Sequence, residues 1–153
     1  MSDPHTDALV YGLGRNLTHG ERFHRTLQFA CALLTADRGI LVPSRTRYPD
    51  MPPATYGFTL EEWHTPGFAF SRRLVHKTFQ APIAILTSDA QPDFQHYSVR
   101  SLWLHSILCI PILGHEQPHA VLCLQRRLTA TPFTSEDLDL LETIALITTQ
   151  ALE

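Results

Sequence analysis

The chain has no apolar stretch approaching the ~20 residues that a membrane-spanning helix needs, so its apolar residues serve a core. The start, Met1-Ser2-Asp3-Pro4-His5, lacks the basic opening and apolar centre of a secretory signal. No run of five or more basic residues occurs. Twelve Lys plus Arg against 15 Asp plus Glu leave a net charge of −3 with His neutral. That balance excludes the electrostatic footprint of a nucleic-acid-binding surface. Cysteine is scarce. Cys31, Cys109 and Cys123 are an odd number in apolar contexts, which argues for buried thiols in a reducing compartment, the cytoplasm, and against a disulfide framework. Internal repeats and low-complexity segments are absent. Gly12-Leu13-Gly14-Arg15 follows no strand and lacks the later glycine of a phosphate cradle.

What is present fits one domain. The 153 residues are 44% apolar and 18% charged, enough to bury a core without staples. Residues 1–15 read as a flexible leader, with Pro4, Gly12 and Gly14, ahead of a domain over 16–153. From Glu21, the residues Phe23, Leu27, Ala30, Cys31 and Leu34 form one helical stripe. Ile40-Leu41-Val42 predicts a short buried strand ended by Pro43. Tyr56, Phe58 and Leu60 alternate with polar or small residues and predict a second strand. Leu74, Val75 and Phe79 predict a helix capped by Ser71, and Ile83 to Leu86 a strand after it. Val99, Leu102 and Trp103 point to a short helix. The runs 106–113 and 120–125 then predict a hairpin across the turn Gly114 to His119. The final helix is the clearest. Thr134 caps it, Asp137 completes a capping box, and Leu138, Leu141, Ala145, Thr148 and Leu152 line one face. Leu140, Ile144 and Ile147 widen that face beyond what one sheet needs, which suggests a second partner. The helix runs to the last residue without a C-cap glycine, as expected of a piece of a longer protein or a helix that docks. Strands that follow one another by hairpins favour an α+β design with a mostly antiparallel sheet.

Four segments, in order, resemble the GAF domain, a ligand-sensing and dimerising module of signalling proteins. They are Leu33-Leu34-Thr35-Ala36-Asp37-Arg38-Gly39-Ile40-Leu41-Val42; Ser71-Arg72-Arg73-Leu74-Val75 with Ile83 to Ala90 and Asp93-Phe94; Ser106-Ile107-Leu108-Cys109-Ile110-Pro111-Ile112; and Phe133-Thr134-Ser135-Glu136-Asp137-Leu138. The resemblance covers about residues 16–153. It implies a PAS-like central antiparallel sheet of about six strands, with the N- and C-terminal helices on one face and a pocket under short helices and loops on the other. It further implies a regulatory role in a bacterial signal-transduction or transcription-regulating protein: sensing of an unknown small molecule, a homodimer through the terminal helices, an attached output domain, and no enzymatic activity. The alternative is a module that binds nothing and serves dimerisation alone. Cyclic-nucleotide-binding members carry an Asn-Lys pair, then Phe, then Asp-Glu. Here those places read Gln125-Arg126, Phe133 and Asp137-Leu138, which argues against such a ligand. No adjacent Cys-His pair is present to attach a bilin.

Within that frame the pocket candidates are Ser88, Asp89, Phe94, Tyr97, Arg100, Trp103 and His105. They offer aromatic stacking surface beside a few polar groups, the composition of a small-molecule site. The bland alternative has Phe94 and Trp103 plugging the cavity as core. His115-Glu116-Gln117-Pro118-His119 matches the H-E-x-x-H zinc pattern, but Pro118 would cost ~3 kcal/mol inside a helix, so a hairpin turn is expected instead. A redox role for Cys109 and Cys123 on adjacent strands is weighed against two buried thiols with no cation nearby to activate them.

Overall fold

The computed structural model describes residues 4–87, 104–127 and 131–153, with the backbone alone at 104 and 105. Among these the elements are α1 (Pro4–Gly12), α2 (His19–Leu33), β1 (Arg38–Pro43), β2 (Ala54–Tyr56), α3 (Leu60–Trp63), a 3-10 turn (Pro66–Phe68), α4 (Ala69–Gln80), β3 (Ile85–Thr87), β4 (Leu104–Ile112), β5 (Ala120–Arg127) and α5 (Ser135–Leu152). The strands form one sheet in the order β2-β1-β5-β4-β3, with every pair antiparallel. Five strands are thus seen among the described residues, against about six expected, and the α+β design holds.

Threonine starts three of the helices. The Thr18 hydroxyl accepts from the Glu21 N–H, and the Glu21 carboxylate accepts from the Thr18 N–H. This box begins α2 at His19, two residues before the point where its apolar stripe suggests a start. Thr134 and Asp137 close the same box at α5, as the sequence predicts. A third box, Thr59 with Glu62, opens α3. It corrects the strand expected from the alternation of Tyr56, Phe58 and Leu60. Gly57 ends β2 at φ +81°, and a Cβ there would stand 2.4 Å from the Asp37 carbonyl oxygen, so the chain turns where a strand would continue.

The stretch expected as a flexible leader contains α1. Pro4 sits at the first position of α1, where its missing N–H costs nothing. The helix packs on α2 and α5, with Leu9 and Leu13 buried. Arg25 of α2 donates to the carbonyl of Gly12 at its end, and Arg22 to those of Leu13 and Gly14 just beyond it. This helix covers part of the wide apolar face of α5. Leu140 and Ile147 are half-buried against the cluster that holds Leu9 and Leu13.

Strand alternation divides the sheet into two faces. Leu41, Leu122, Leu124, Leu108 and Ile110 point to α2 and α5, and form one core with Leu27, Cys31 and Leu141. Ile40, Val121, Cys123, Ile107 and Cys109 point the other way, under Trp63, Phe68, Leu74 and Val75. Burying each Leu or Ile contributes about 1.5–3 kcal/mol, so both faces hold the fold together.

Candidate functional site

The α4 face carries polar groups that the other face lacks. The strand registers set Thr87 opposite Ile107, Ile107 opposite Gln125, and Gln125 opposite Arg38. Directly opposed residues share a face, so these four form a row across four strands at one end of the sheet. Gln125 is fully buried. Its Nε2 donates to the Ser71 hydroxyl of α4 at 2.8 Å, while its Oε1 has no partner among the described residues. The Arg38 side chain lies over the Phe68 ring at 5.8 Å, and its Nε and Nη1 are likewise buried without partners among the described residues. Burial pulls the Arg38 guanidinium below its ordinary value. Arg127 adds to this, while Glu62 and Asp37 oppose it. A buried orphan donor or acceptor costs about 1–3 kcal/mol, so two donors and one acceptor in one row ask for a matching group.

The aromatic wall beside Arg38 is tight. Phe58 stacks on Phe68 at 4.5 Å, and Trp63 meets Phe68 at 5.9 Å. Ser88, Asp89, Phe94, Tyr97, Arg100 and Trp103 lie outside the described residues. His105 lies on β4, and its side chain is outside the description as well. The ends of that segment are placed. Thr87 bonds to the backbone of Ile107 through its hydroxyl, and Leu104 pairs with Arg127. The chain therefore leaves and re-enters the sheet at the end where Arg38 and Gln125 stand. Neither of these two was among the pocket residues expected from the sequence. Their signal was polarity inside apolar strands: Arg38 before Gly-Ile-Leu-Val, and Gln125 after Ala-Val-Leu-Cys-Leu.

The residues standing at the cyclic-nucleotide motif make a clasp. The Arg126 guanidinium lies 4.3 Å over the Phe133 ring and 3.6 Å from the Asp137 carboxylate. It also donates to the carbonyls of Leu34, Thr131 and Pro132. Arg126 thereby ties β5 to the end of α2 and the start of α5.

The H-E-x-x-H stretch forms the β4–β5 turn, as Pro118 dictates. His119 is buried, its Nδ1 2.8 Å from the Tyr48 hydroxyl and its Nε2 3.5 Å from the Glu153 carboxylate. His115 is exposed and approaches the same carboxylate oxygen at 3.6 Å. Among the described residues no three His, Cys, Asp or Glu side chains converge as a metal site. Cys109 and Cys123 stand directly opposite each other, and all three cysteines are free and buried. Burial pushes the Cys31 thiol up to about 12, and burial with the hydrogen bond to Cys123 pushes Cys109 up. Neither change favours a reactive thiolate.

The GAF domain family model matches residues 19–152, and the chain belongs to that family. The fold is similar to the GAF domain of a phosphoenolpyruvate-protein phosphotransferase from Acinetobacter, with TM-score 0.75 and 13% identity over 99% of this chain and 94% of that one. It is similar to the GAF domain of a phosphoenolpyruvate-protein phosphotransferase from Coxiella burnetii, with TM-score 0.71 and 18% identity over 97% and 90%. It is also similar to the GAF domain of a putative sensor histidine kinase from Pseudomonas syringae pv. tomato, with TM-score 0.63 and 18% identity over 97% and 83%. A comparison with curated protein sequences finds no match. Among the described residues no helix is long and apolar enough to cross a membrane.

Proposed function

We propose that this chain is the sensory domain of a bacterial signalling or transcription-regulating protein, and that it binds a small molecule over the row Thr87, Ile107, Gln125 and Arg38. The observation that carries the reading is the unpartnered pair of Arg38 donors beside the unpartnered Gln125 acceptor. A ligand that presents an acceptor to Arg38 and a donor to Gln125 satisfies all three atoms. Ser88, Asp89, Phe94, Tyr97, Arg100, Trp103 and His105 supply the rest of the lining, the aromatics by stacking and the polar groups by orienting the ligand. The domain acts in the cytoplasm by binding rather than catalysis, contacts no nucleic acid, and hands its signal through α5 to an output domain.

The test is the melting temperature against a panel of amino acids, 2-oxoacids, nucleotides and metal ions, with native mass spectrometry on the same sample. A ligand that binds only the folded chain raises stability by ~2.7 kcal/mol at a hundredfold excess over its Kd. Arg38→Met should abolish that gain. No shift and a bare protein mass would overturn the sensor in favour of a ligand-free dimerisation module. One observation favours a dimer in either case: Tyr11 and Val10 of α1 and Leu146 of α5 expose 90%, 55% and 59% of their surface on the terminal helices. Tyr11→Asp and Leu146→Asp, followed by light scattering, test whether those helices associate.

A further inference from the structure

A second cleft opens at the other end of β1. Arg38 stands at one end of that strand and Pro43 at the other, about 17 Å apart for a strand of this length. The cleft lies beside Pro43, between the chain leaving β1, the end of α3, one side of α4 and the β4–β5 turn, and holds about 610 Å³. That volume falls within the ~300–1,000 Å³ of small-molecule sites. Its floor is apolar: Trp63 and Val75 are buried, and Val42 and Phe79 half-buried. Its charges have one sign. Arg45 and Arg72 line it, and no lining residue among those described carries a carboxylate, although the chain as a whole is at −3 with His neutral.

The cationic groups differ in mobility. Arg72 Nη1 donates to the carbonyls of Trp63 at 2.5 Å and Thr65 at 2.7 Å, which fixes the guanidinium plane against the end of α3. Those carbonyls are neutral, so the positive charge of Arg72 stays uncompensated within the cleft. Arg45 is exposed at the rim, with a side chain long enough to swing onto a bound group. One fixed and one mobile guanidinium above an aromatic floor match an anion carried on an apolar body.

We propose that this cleft binds a small organic anion, with its carboxylate or phosphate held by Arg72 and Arg45 and its apolar part laid on Trp63, Val75 and Phe79. The site shares no residue with the row at Arg38 and Gln125. A ligand here would report through the β4–β5 turn, whose Gln117 and Pro118 form one wall.

The probes are phenyl phosphate, phenylacetate, inorganic phosphate and benzyl alcohol, each titrated into isotope-labelled chain with backbone amide shifts as the readout. Phenyl phosphate or phenylacetate should give saturable shifts at Val42, Ser44, Thr46, His64 and His76, and whichever binds tighter names the anionic group. Inorganic phosphate, lacking the apolar body, should bind at least tenfold more weakly, and benzyl alcohol should not saturate. Arg45→Glu, a surface change that leaves the fold intact, should weaken the aromatic anions at least tenfold, while Arg38→Met should leave them unchanged. Drifts that never saturate and are equal in Arg45→Glu would overturn the proposal. So would benzyl alcohol binding as well as the anions, or saturable shifts confined to Arg38 and Gln125.

Discussion

The two faces of the sheet are cut from the same strands, residue by residue in alternation, yet they are built to different ends. The face under α2 and α5 is largely aliphatic, and its buried hydroxyls have partners: Ser106 accepts from the Phe133 N–H, and Thr26 meets Thr148. The Thr148 hydroxyl donates to the Ile144 carbonyl, which leaves Thr26 to donate to Thr148 at 3.0 Å. The face under α4 mixes aromatics, cysteines, a half-satisfied glutamine and an arginine with buried, unpartnered nitrogens. A fold that leaves such atoms unsatisfied spends stability there, and the closed face must supply it. The closed face therefore reads as the stabilising layer and the open face as the binding layer.

The largest expected effect tests that division directly. Leu124 faces α2 and α5, and Cys123 beside it faces α4. Leu124→Ala should cost about 3 kcal/mol in urea unfolding, while Cys123→Ala should cost roughly 1 kcal/mol. Cys123→Ala removes one heavy atom and Leu124→Ala three, so equal losses would mean that the open face is the more tightly packed, atom for atom.

Next in size is Gly39, where the closed face admits no side chain. An added Cβ would stand 2.5 Å from the Cys31 sulfur and 3.0 Å from methyl carbons of Leu27 and Leu124. Gly39→Ala should lower stability by roughly 1–3 kcal/mol through overpacking. Adding Cys31→Ala should recover part of it, and strictly additive losses would show that the sulfur is not the obstacle.

The open face should tolerate the loss of its polar groups. Replacing both partners of a buried hydrogen bond by apolar groups is nearly neutral, so Gln125→Leu with Ser71→Ala should change stability by less than about 1 kcal/mol. The sensor reading requires that the same double variant lose its ligand response. A large loss of stability would instead make the pair structural.

The smallest effect sharpens the rim of the closed face. Burial lowers the pKa of His119 from its ordinary 6.5. Arg47 and His19 act in the same direction, and the Glu153 carboxylate opposes them. Tyr48 covers the other ring nitrogen. A depressed folded value means that the unfolded chain takes up the proton first. The contribution of His119 is therefore full above pH 6.5 and is lost as pH falls through the folded value. Urea midpoints at pH 7.5 and 5.5 check this: His119→Gln should lose less on acidification than the parent. His19, lowered mainly by burial, adds a loss of the same sign that the variant keeps.

Much of this was legible in the chain itself. The apolar runs 106–113 and 120–125 mark the central hairpin, and Thr134 with Asp137 marks the start of α5. Two further Thr-x-x-Glu boxes, at 18–21 and 59–62, are equally local signals. Read at face value, they place α2 at His19 and turn Phe58 and Leu60 away from a strand. Leu9 of α1 and Leu13 just after it are harder to read. A nine-residue helix with one buried leucine becomes stable only when α2 and α5 stand ready to cover it.

What the sequence determined alone is what depends on neighbours a few residues away: helix caps, strand alternation, the turn forced by Pro118, and the division of β1, β4 and β5 into two faces. Tertiary structure decided the rest. Arg38 and Gln125 are 87 residues apart in the chain, and only the antiparallel register of β1 on β5 sets them side by side. Arg45, Arg72 and Pro118 meet around one cleft only because α4 crosses the sheet beside the β4–β5 turn. Local propensity fixes which way a side chain points along its own strand, but pairing and packing fix what it meets, and a binding site is made of what meets.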